Sequence, residues 1–272
     1  MQGCKRSPAF SKEIIMIQIS SRALSMPTSG IRAMTVLASK YDNVVSFGLG
    51  EPDFPTPQNI IDEGCHALQT GWTKYVANQG IQPLLSALAA KMREYNNMPY
   101  ITEDNIHITF GAGQALLLSM ETILEPEDEV IIPTPCFPNY FGYVHMAGGK
   151  SVVVPTKEKN GFRVTAQEIK EKITSKTKAI LINSPCNPTG SVLTEQDIRE
   201  IAQVALEYNL TVISDEPYEA IIYDGQKSFS IASIPEMKDH VITVNSFSKS
   251  YAMTGWRIGY VVAPSAVRER MT

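Results

Sequence analysis

Short, continuous runs rich in Val and Ile recur along this chain, separated by longer segments of helical period. Such runs fill residues 44–49, 106–110, 129–132, 151–154, 179–183, 211–214, 241–245 and 258–262. Because several of them are apolar throughout rather than alternating, they fit strands buried on both faces of a mainly parallel sheet. Helical period runs through residues 58–69, 82–96, 114–123, 167–173 and 195–208. Two of these helices carry start signals. Thr165 stands three residues before Glu168, a capping-box pattern, and Thr194 stands three before Asp197, a near relative of it. Strand, helix and strand repeated in this way predict an α/β fold with a doubly wound, mostly parallel sheet. No internal repeat, low-complexity tract or linker interrupts it, so residues 44–262 read as one large domain. A length of 272 residues is ample for a large core.

Charge and cysteine content narrow the function classes. The formal net charge of −4 is spread along the chain, with no basic cluster of the kind that holds nucleic acid. Cys4, Cys65, Cys136 and Cys186 are spaced too irregularly for a metal site or a secreted disulfide framework. A reducing, cytoplasmic setting is therefore expected. The first apolar stretch, residues 14–19, contains Gln18 and is too short for a signal or membrane segment. Met16 opens a more natural start than Met1, so residues 1–15 are expected to be a flexible extension.

In sheets of this type ligands gather beyond the carboxyl ends of the strands. Four predicted strand ends carry chemistry there: Gly111-Ala112-Gly113, then Asn187 in an Asn-Pro-Thr-Gly turn, Asp215 with Tyr218, and Ser246-Phe247-Ser248-Lys249. Each has an ordinary reading. Glycines commonly open helices, Asn-Pro-Thr-Gly is a turn, an aspartate caps the turn after a strand, and most lysines are solvated. Each also has a chemical one. Backbone N–H groups at a helix start can cradle a phosphate. A buried carboxylate can keep a ring nitrogen protonated, a charge-assisted contact of roughly 1.5–3 kcal/mol. Asn187 and Tyr218 can both donate to a ring oxygen. Lys249, flanked by hydroxyls and followed by Arg257, supplies an amine able to form a Schiff base beside a cationic phosphate grip.

The residues then become specific in combination. Ser246–Tyr260 (Ser-Phe-Ser-Lys-Ser-Tyr-Ala-Met-Thr-Gly-Trp-Arg-Ile-Gly-Tyr) resembles the lysine signature of class I/II pyridoxal 5'-phosphate (PLP) aminotransferases. Asn187-Pro188-Thr189-Gly190, Ser214-Asp215-Glu216-Pro217-Tyr218 and Gly50-Glu51-Pro52-Asp53-Phe54 resemble other hallmarks of that family, in the family's order. The resemblance runs from about Ile17 to the end of the chain. It implies the large PLP-binding domain of fold type I enzymes over residues 47–272. Residues 16–46 would contribute to a small domain left incomplete, its C-terminal part absent.

For the site, the resemblance implies that Lys249 forms the Schiff base and moves the substrate α-proton, and that Asp215 holds the pyridine nitrogen. It assigns Asn187 and Tyr218 to the ring oxygen, and Gly111, Ala112, Gly113, Ser246, Ser248 and Arg257 to the phosphate. Phe137 would stack on the ring face, where many relatives carry Trp or Tyr. Tyr75 would reach the phosphate in a neighbouring subunit's site, and Gly50 with Asn187 would contact the substrate. A homodimer transferring an amino group between an amino acid and a 2-oxo acid is the expected assembly and function. Two departures stand out. Pro217 replaces the usual aliphatic residue, and the chain stops at Thr272 where the family pattern continues toward an arginine for the substrate carboxylate. Weak turnover is expected of the 272 residues alone. A PLP carbon–sulfur lyase or synthase of the same fold, or a catalytically silent PLP-binding fragment, are the alternatives.

Overall fold

A computed structural model of the chain describes residues 17–26, 30–45, 48 and 50–272. The expected extension, residues 1–15, lies outside the described residues, as do Ser46, Phe47 and Leu49 of the predicted strand 44–49. Val44 and Val45 of that run sit in irregular backbone. The helices are α1 (Ser21–Leu24), α2 (Gly30–Ala38), α3 (Gln58–Gln69), α4 (Gln82–Glu94), α5 (Ala112–Ile123), α6 (Asn139–Met146), α7 (Ala166–Lys170), α8 (Glu195–Glu207), α9 (Phe247–Ser250) and α10 (Ser265–Arg268). The strands are β1 (Ile106–Thr109), β2 (Glu129–Thr134), β3 (Lys150–Pro155), β4 (Thr177–Asn183), β5 (Thr211–Asp215), β6 (Val241–Ser246) and β7 (Gly259–Val262).

All seven strands join one sheet in the order β1-β7-β6-β5-β4-β2-β3. β2, β3, β4, β5 and β6 are mutually parallel, whereas β7 runs antiparallel between β6 and β1. Reversal of one strand brings the start of β7 to the edge where β1, β4, β5 and β6 end. The continuous apolar runs have the expected cause. On β4, Ile180 and Ile182 belong to the core on one face of the sheet, and Ala179 and Leu181 to the core on the other. Val212 and Ile213 divide in the same way on β5. With both faces covered, each such Val, Ile or Leu side chain stabilises the fold by about 1.5–3 kcal/mol.

Both predicted capping boxes form. Thr165 Oγ1 accepts from Glu168 N at 3.2 Å while Glu168 Oε2 accepts from Thr165 N at 3.1 Å. Thr194 and Asp197 exchange the equivalent pair at 3.1 and 2.8 Å. Several ends differ from expectation. β1 stops at Thr109 because the Phe110 N–H turns away to the Gln114 side chain at 2.7 Å and the Gly111 N–H donates to the Thr109 carbonyl at 2.9 Å. The helix expected over 167–173 starts one residue earlier and ends at Lys170. Beyond it, Thr177 Oγ1 accepts from Thr174 N at 2.9 Å and sets the turn into β4. α6 was not expected from its aromatic, Gly-containing sequence; burial of Tyr140, Gly142 and Val144 selects it.

Candidate functional site

The carboxyl edge of the sheet collects the polar residues. Asp215 ends β5 and is buried. Its Oδ2 accepts the Tyr140 hydroxyl at 2.5 Å, and its Oδ1 has no partner among the described residues. Burial pushes its pKa up to about 7, against the pull of the Tyr140 bond. An anion in that position calls for one more donor, preferably cationic. Asn183, at the end of β4, ties the neighbouring loops together. Its Nδ2 donates to the Asp215 carbonyl at 2.9 Å, and its Oδ1 accepts from Asn187 N at 2.8 Å. Asn187 Nδ2 in turn reaches the Tyr218 hydroxyl at 3.5 Å. Burial and the nearby Asp215 raise the pKa of Tyr218, with Asn187 opposing, so its phenol stays protonated and able to donate.

A second group assembles around β7. Gly259 pairs with Thr109 of β1 on one side and Ser246 of β6 on the other. That register sets Arg257, two residues earlier, between the β1–α5 turn and Ser246. Arg257 adopts left-handed backbone (φ 57°), its Nη1 donates to the Thr254 carbonyl at 2.9 Å, and its Nη2 packs on Gly111. A Cβ on Gly111 would lie 2.5 Å from that nitrogen, and Gly111 itself has φ 77°. No side chain caps α5, which leaves its first amides facing this space. Ser246 Oγ accepts from Ser248 N at 3.1 Å, and Ser248 is buried. The result is a cationic guanidinium, uncapped helix amides and two hydroxyl residues at one edge, a donor set suited to phosphate.

Lys249 lies in α9, next to this cluster, and its Nζ donates to the Gly50 carbonyl. Burial lowers its pKa, Glu51 opposes and Arg257 assists, so the amine is moved toward its neutral, nucleophilic form. Gly50 therefore contacts the lysine in this structure. Phe137 packs edge-on against Tyr140, with ring centroids 5.5 Å apart. Tyr75 is not brought to this site; its side chain is fully exposed. A cleft of about 930 Å³ opens beside the site and shares Asn187 and Tyr218 with it.

Tyr140 and Asn183 escaped the sequence reading. Tyr140 resembled an ordinary core aromatic, and Asn183 the last residue of a strand. The available signal was that each ends or faces an apolar element next to an assigned residue, where a polar atom needs a partner.

Comparisons with known proteins give the family. The family described as aminotransferase class I and II matches residues 42–272, and the chain belongs to it. Aspartate aminotransferase of Pyrococcus abyssi is 48% identical over 253 residues, and aromatic-amino-acid aminotransferase 2 of Thermococcus litoralis is 44% identical over 253 residues. In both cases the match takes in 93% of this chain and 65% of the relative. Among solved structures, aspartate aminotransferase of Thermus thermophilus with maleate superposes with a TM-score of 0.90 at 37% identity, covering 94% of this chain and 67% of that one. PLP is the cofactor of this family, and the residues present fit it. Asp215 has an open buried oxygen, Lys249 offers a shielded amine, and the β7 edge offers a phosphate cradle. Among the described residues, no helix is long and apolar enough to cross a membrane.

Proposed function

We propose that the protein is a PLP-dependent aminotransferase that moves an amino group between an amino acid and a 2-oxo acid. The observation that carries this reading is the Asp215 carboxylate, buried with one oxygen on Tyr140 and the other open, on the same sheet edge as the Lys249 amine. When bound, PLP supplies the electron sink that lets an amino acid lose its α-proton. Lys249 Nζ holds the cofactor covalently between turnovers, then takes and returns that proton. Asp215 Oδ1, as an anion, keeps the ring nitrogen protonated. The Tyr218 hydroxyl and Asn187 Nδ2 contact the ring oxygen, and Phe137 covers a ring face. Ser246, Ser248, Arg257 and the amides of Gly111, Ala112 and Gly113 hold the phosphate. The Gly50 carbonyl orients Lys249 until substrate arrives, when Gly50 and Asn187 face the substrate carboxylate.

The active form in this reading is a cytoplasmic homodimer in which Tyr75 serves the partner's phosphate site. Full exposure of Tyr75 and exposure of Trp72 and Phe54 in one chain support it, as does the irregular cysteine spacing for the compartment. The relatives divide between aspartate and aromatic amino acids, so the donor is to be found by assay. The test is an absorbance titration with PLP, followed by amino acids. A protein-bound visible band that bleaches with amino acids and returns with a 2-oxo acid is expected from the wild type, and no covalent band from Lys249→Ala. A covalent band in Lys249→Ala would overturn the assignment. Pyruvate released from a cysteine-like donor without an added acceptor would favour the lyase alternative.

A further inference from the structure

Two thiols stand on the loops that carry Phe137 and Asn187. Cys136 follows β2, and Cys186 follows β4, a neighbouring parallel strand, so the two loops lie side by side. Cys186 Sγ donates to the Pro135 carbonyl at 3.6 Å, and the carbon of that carbonyl is bonded to the Cys136 nitrogen. Both cysteines line one small cavity together with Tyr140 and Asn183. A disulfide requires Cα atoms about 4.4–6.8 Å apart. The Cys186 sulfur is already hydrogen-bonded to the peptide that leads into Cys136, on the wall of the cavity that the two residues share. Both thiols are free and partly exposed, so a small oxidant can reach them.

We propose that Cys136 and Cys186 form a reversible disulfide that ties the β2–α6 loop to the β4–α8 loop. The reaction balances with a small-molecule disulfide, such as oxidised glutathione, as the oxidant. The Cys186 thiolate attacks one glutathione sulfur, breaking that S–S bond and releasing one glutathione thiolate. Cys136 loses its proton and attacks Cys186 Sγ in the mixed disulfide, releasing the second glutathione. The protein is oxidised by two electrons and the glutathione disulfide is reduced by two. Burial, with the Cys186 thiol adding to it, pushes the Cys136 thiol up to about 11, so the closing step quickens as pH rises. The bond freezes the spacing between Phe137 and Asn187, which in the function proposed above contact opposite features of the cofactor ring. This consequence rests on that function; the disulfide itself does not.

The experiment exposes the folded 272-residue chain to oxidised glutathione and digests it without reduction. A peptide pair joined through Cys136 and Cys186, lighter than its two parts by two hydrogen atoms, is expected. It should vanish with reductant and be absent from Cys136→Ser and Cys186→Ser, while exposed Cys65 carries a glutathione adduct. Recovery of Cys136 and Cys186 only as free thiols, or only as separate adducts, would overturn the proposal. A second arm titrates PLP against oxidised and reduced protein. A change in affinity of roughly tenfold that reverses with reductant and is missing in Cys186→Ser is expected. A joined pair with unchanged affinity would overturn the link to the cofactor site while leaving the disulfide standing.

Discussion

A carboxylate at the end of a fully buried strand is costly, and at Asp215 a single hydroxyl, that of Tyr140, offsets the cost in the protein without cofactor. Tyr140→Phe leaves both carboxylate oxygens unpartnered. The cofactor-free chain should lose about 1–3 kcal/mol of stability in urea denaturation. Because the Tyr140 bond lowers the pKa of Asp215, its loss raises that pKa further. PLP affinity of Tyr140→Phe should therefore fall near neutral pH and recover at higher pH, its midpoint lying above that of the wild type. Equal pH midpoints for the two proteins would show that Tyr140 does not act through Asp215. This contact was not legible in the sequence, since Tyr140 and Asp215 are 75 residues apart and only the packing of α6 against the sheet joins them. Asp215 was legible as the residue closing an apolar run, while its role came only from the resemblance of the motif around it.

At the scale of elements, β7 and the start of α5 approach so closely that both contacts need glycine. A Cβ on Gly259 would fall 2.6 Å from the Gly111 carbonyl carbon and 2.7 Å from the Ala112 nitrogen, both backbone atoms that cannot step aside alone. Gly259→Ala should push the helix start away from Arg257, destabilise the chain by about 1–3 kcal/mol and weaken PLP phosphate binding. Gly255→Ala, with open space around the new methyl, should stay within about 0.5 kcal/mol of the wild type. Thermal melts and PLP titrations of the pair check both statements. Thr194→Ala removes a reciprocal cap from α8 and should cost about 0.5–2 kcal/mol with no effect on PLP binding. Helices with caps and strands with unbroken apolar runs were predicted to within a few residues. α6 was not, because its own sequence prefers no helix and its burial decides.

For the whole molecule, the two adjacent buried acids, Asp215 and Glu216, dominate the pH response. Both are pushed up to about 7, chiefly by burial. For Asp215 the ordinary value is about 3.9, so its favourable contribution is complete below that pH and is lost as pH rises to about 7. Asp215→Asn does not titrate. Its stability relative to the cofactor-free wild type should improve between pH 4 and 7 by an amount on the order of a few kcal/mol, read from urea midpoints across that range. Added PLP, pairing with the anion, should shrink the difference. Assembly is the other property of this scale. Amphipathic α3 has no buried residue, and Leu68, Trp72, Tyr75 and Val76 stand exposed in and after it. Covering such a face with a second chain is the expected remedy. Sedimentation should find a dimer that Trp72→Glu weakens, and a monomeric wild type would refute the proposed assembly.

Taken alone, the order of residues determined the α/β class, the positions of the seven described strands and of five helices, and the placing of Gly111, Asn187, Asp215 and Lys249 at or just beyond strand ends. The reason is local. Unbroken apolar runs and capping boxes express burial and hydrogen bonding within a few residues of themselves. Tertiary structure alone decided that β7 runs backwards between β1 and β6, which carries Arg257 to the edge where the other strands end. It also decided that Tyr140 and Asn183 hold Asp215 and Asn187, that Gly50 meets Lys249, and that Cys136 and Cys186 share one cavity. These are contacts between residues far apart in the chain, and they exist only once strand order and direction bring the loops together.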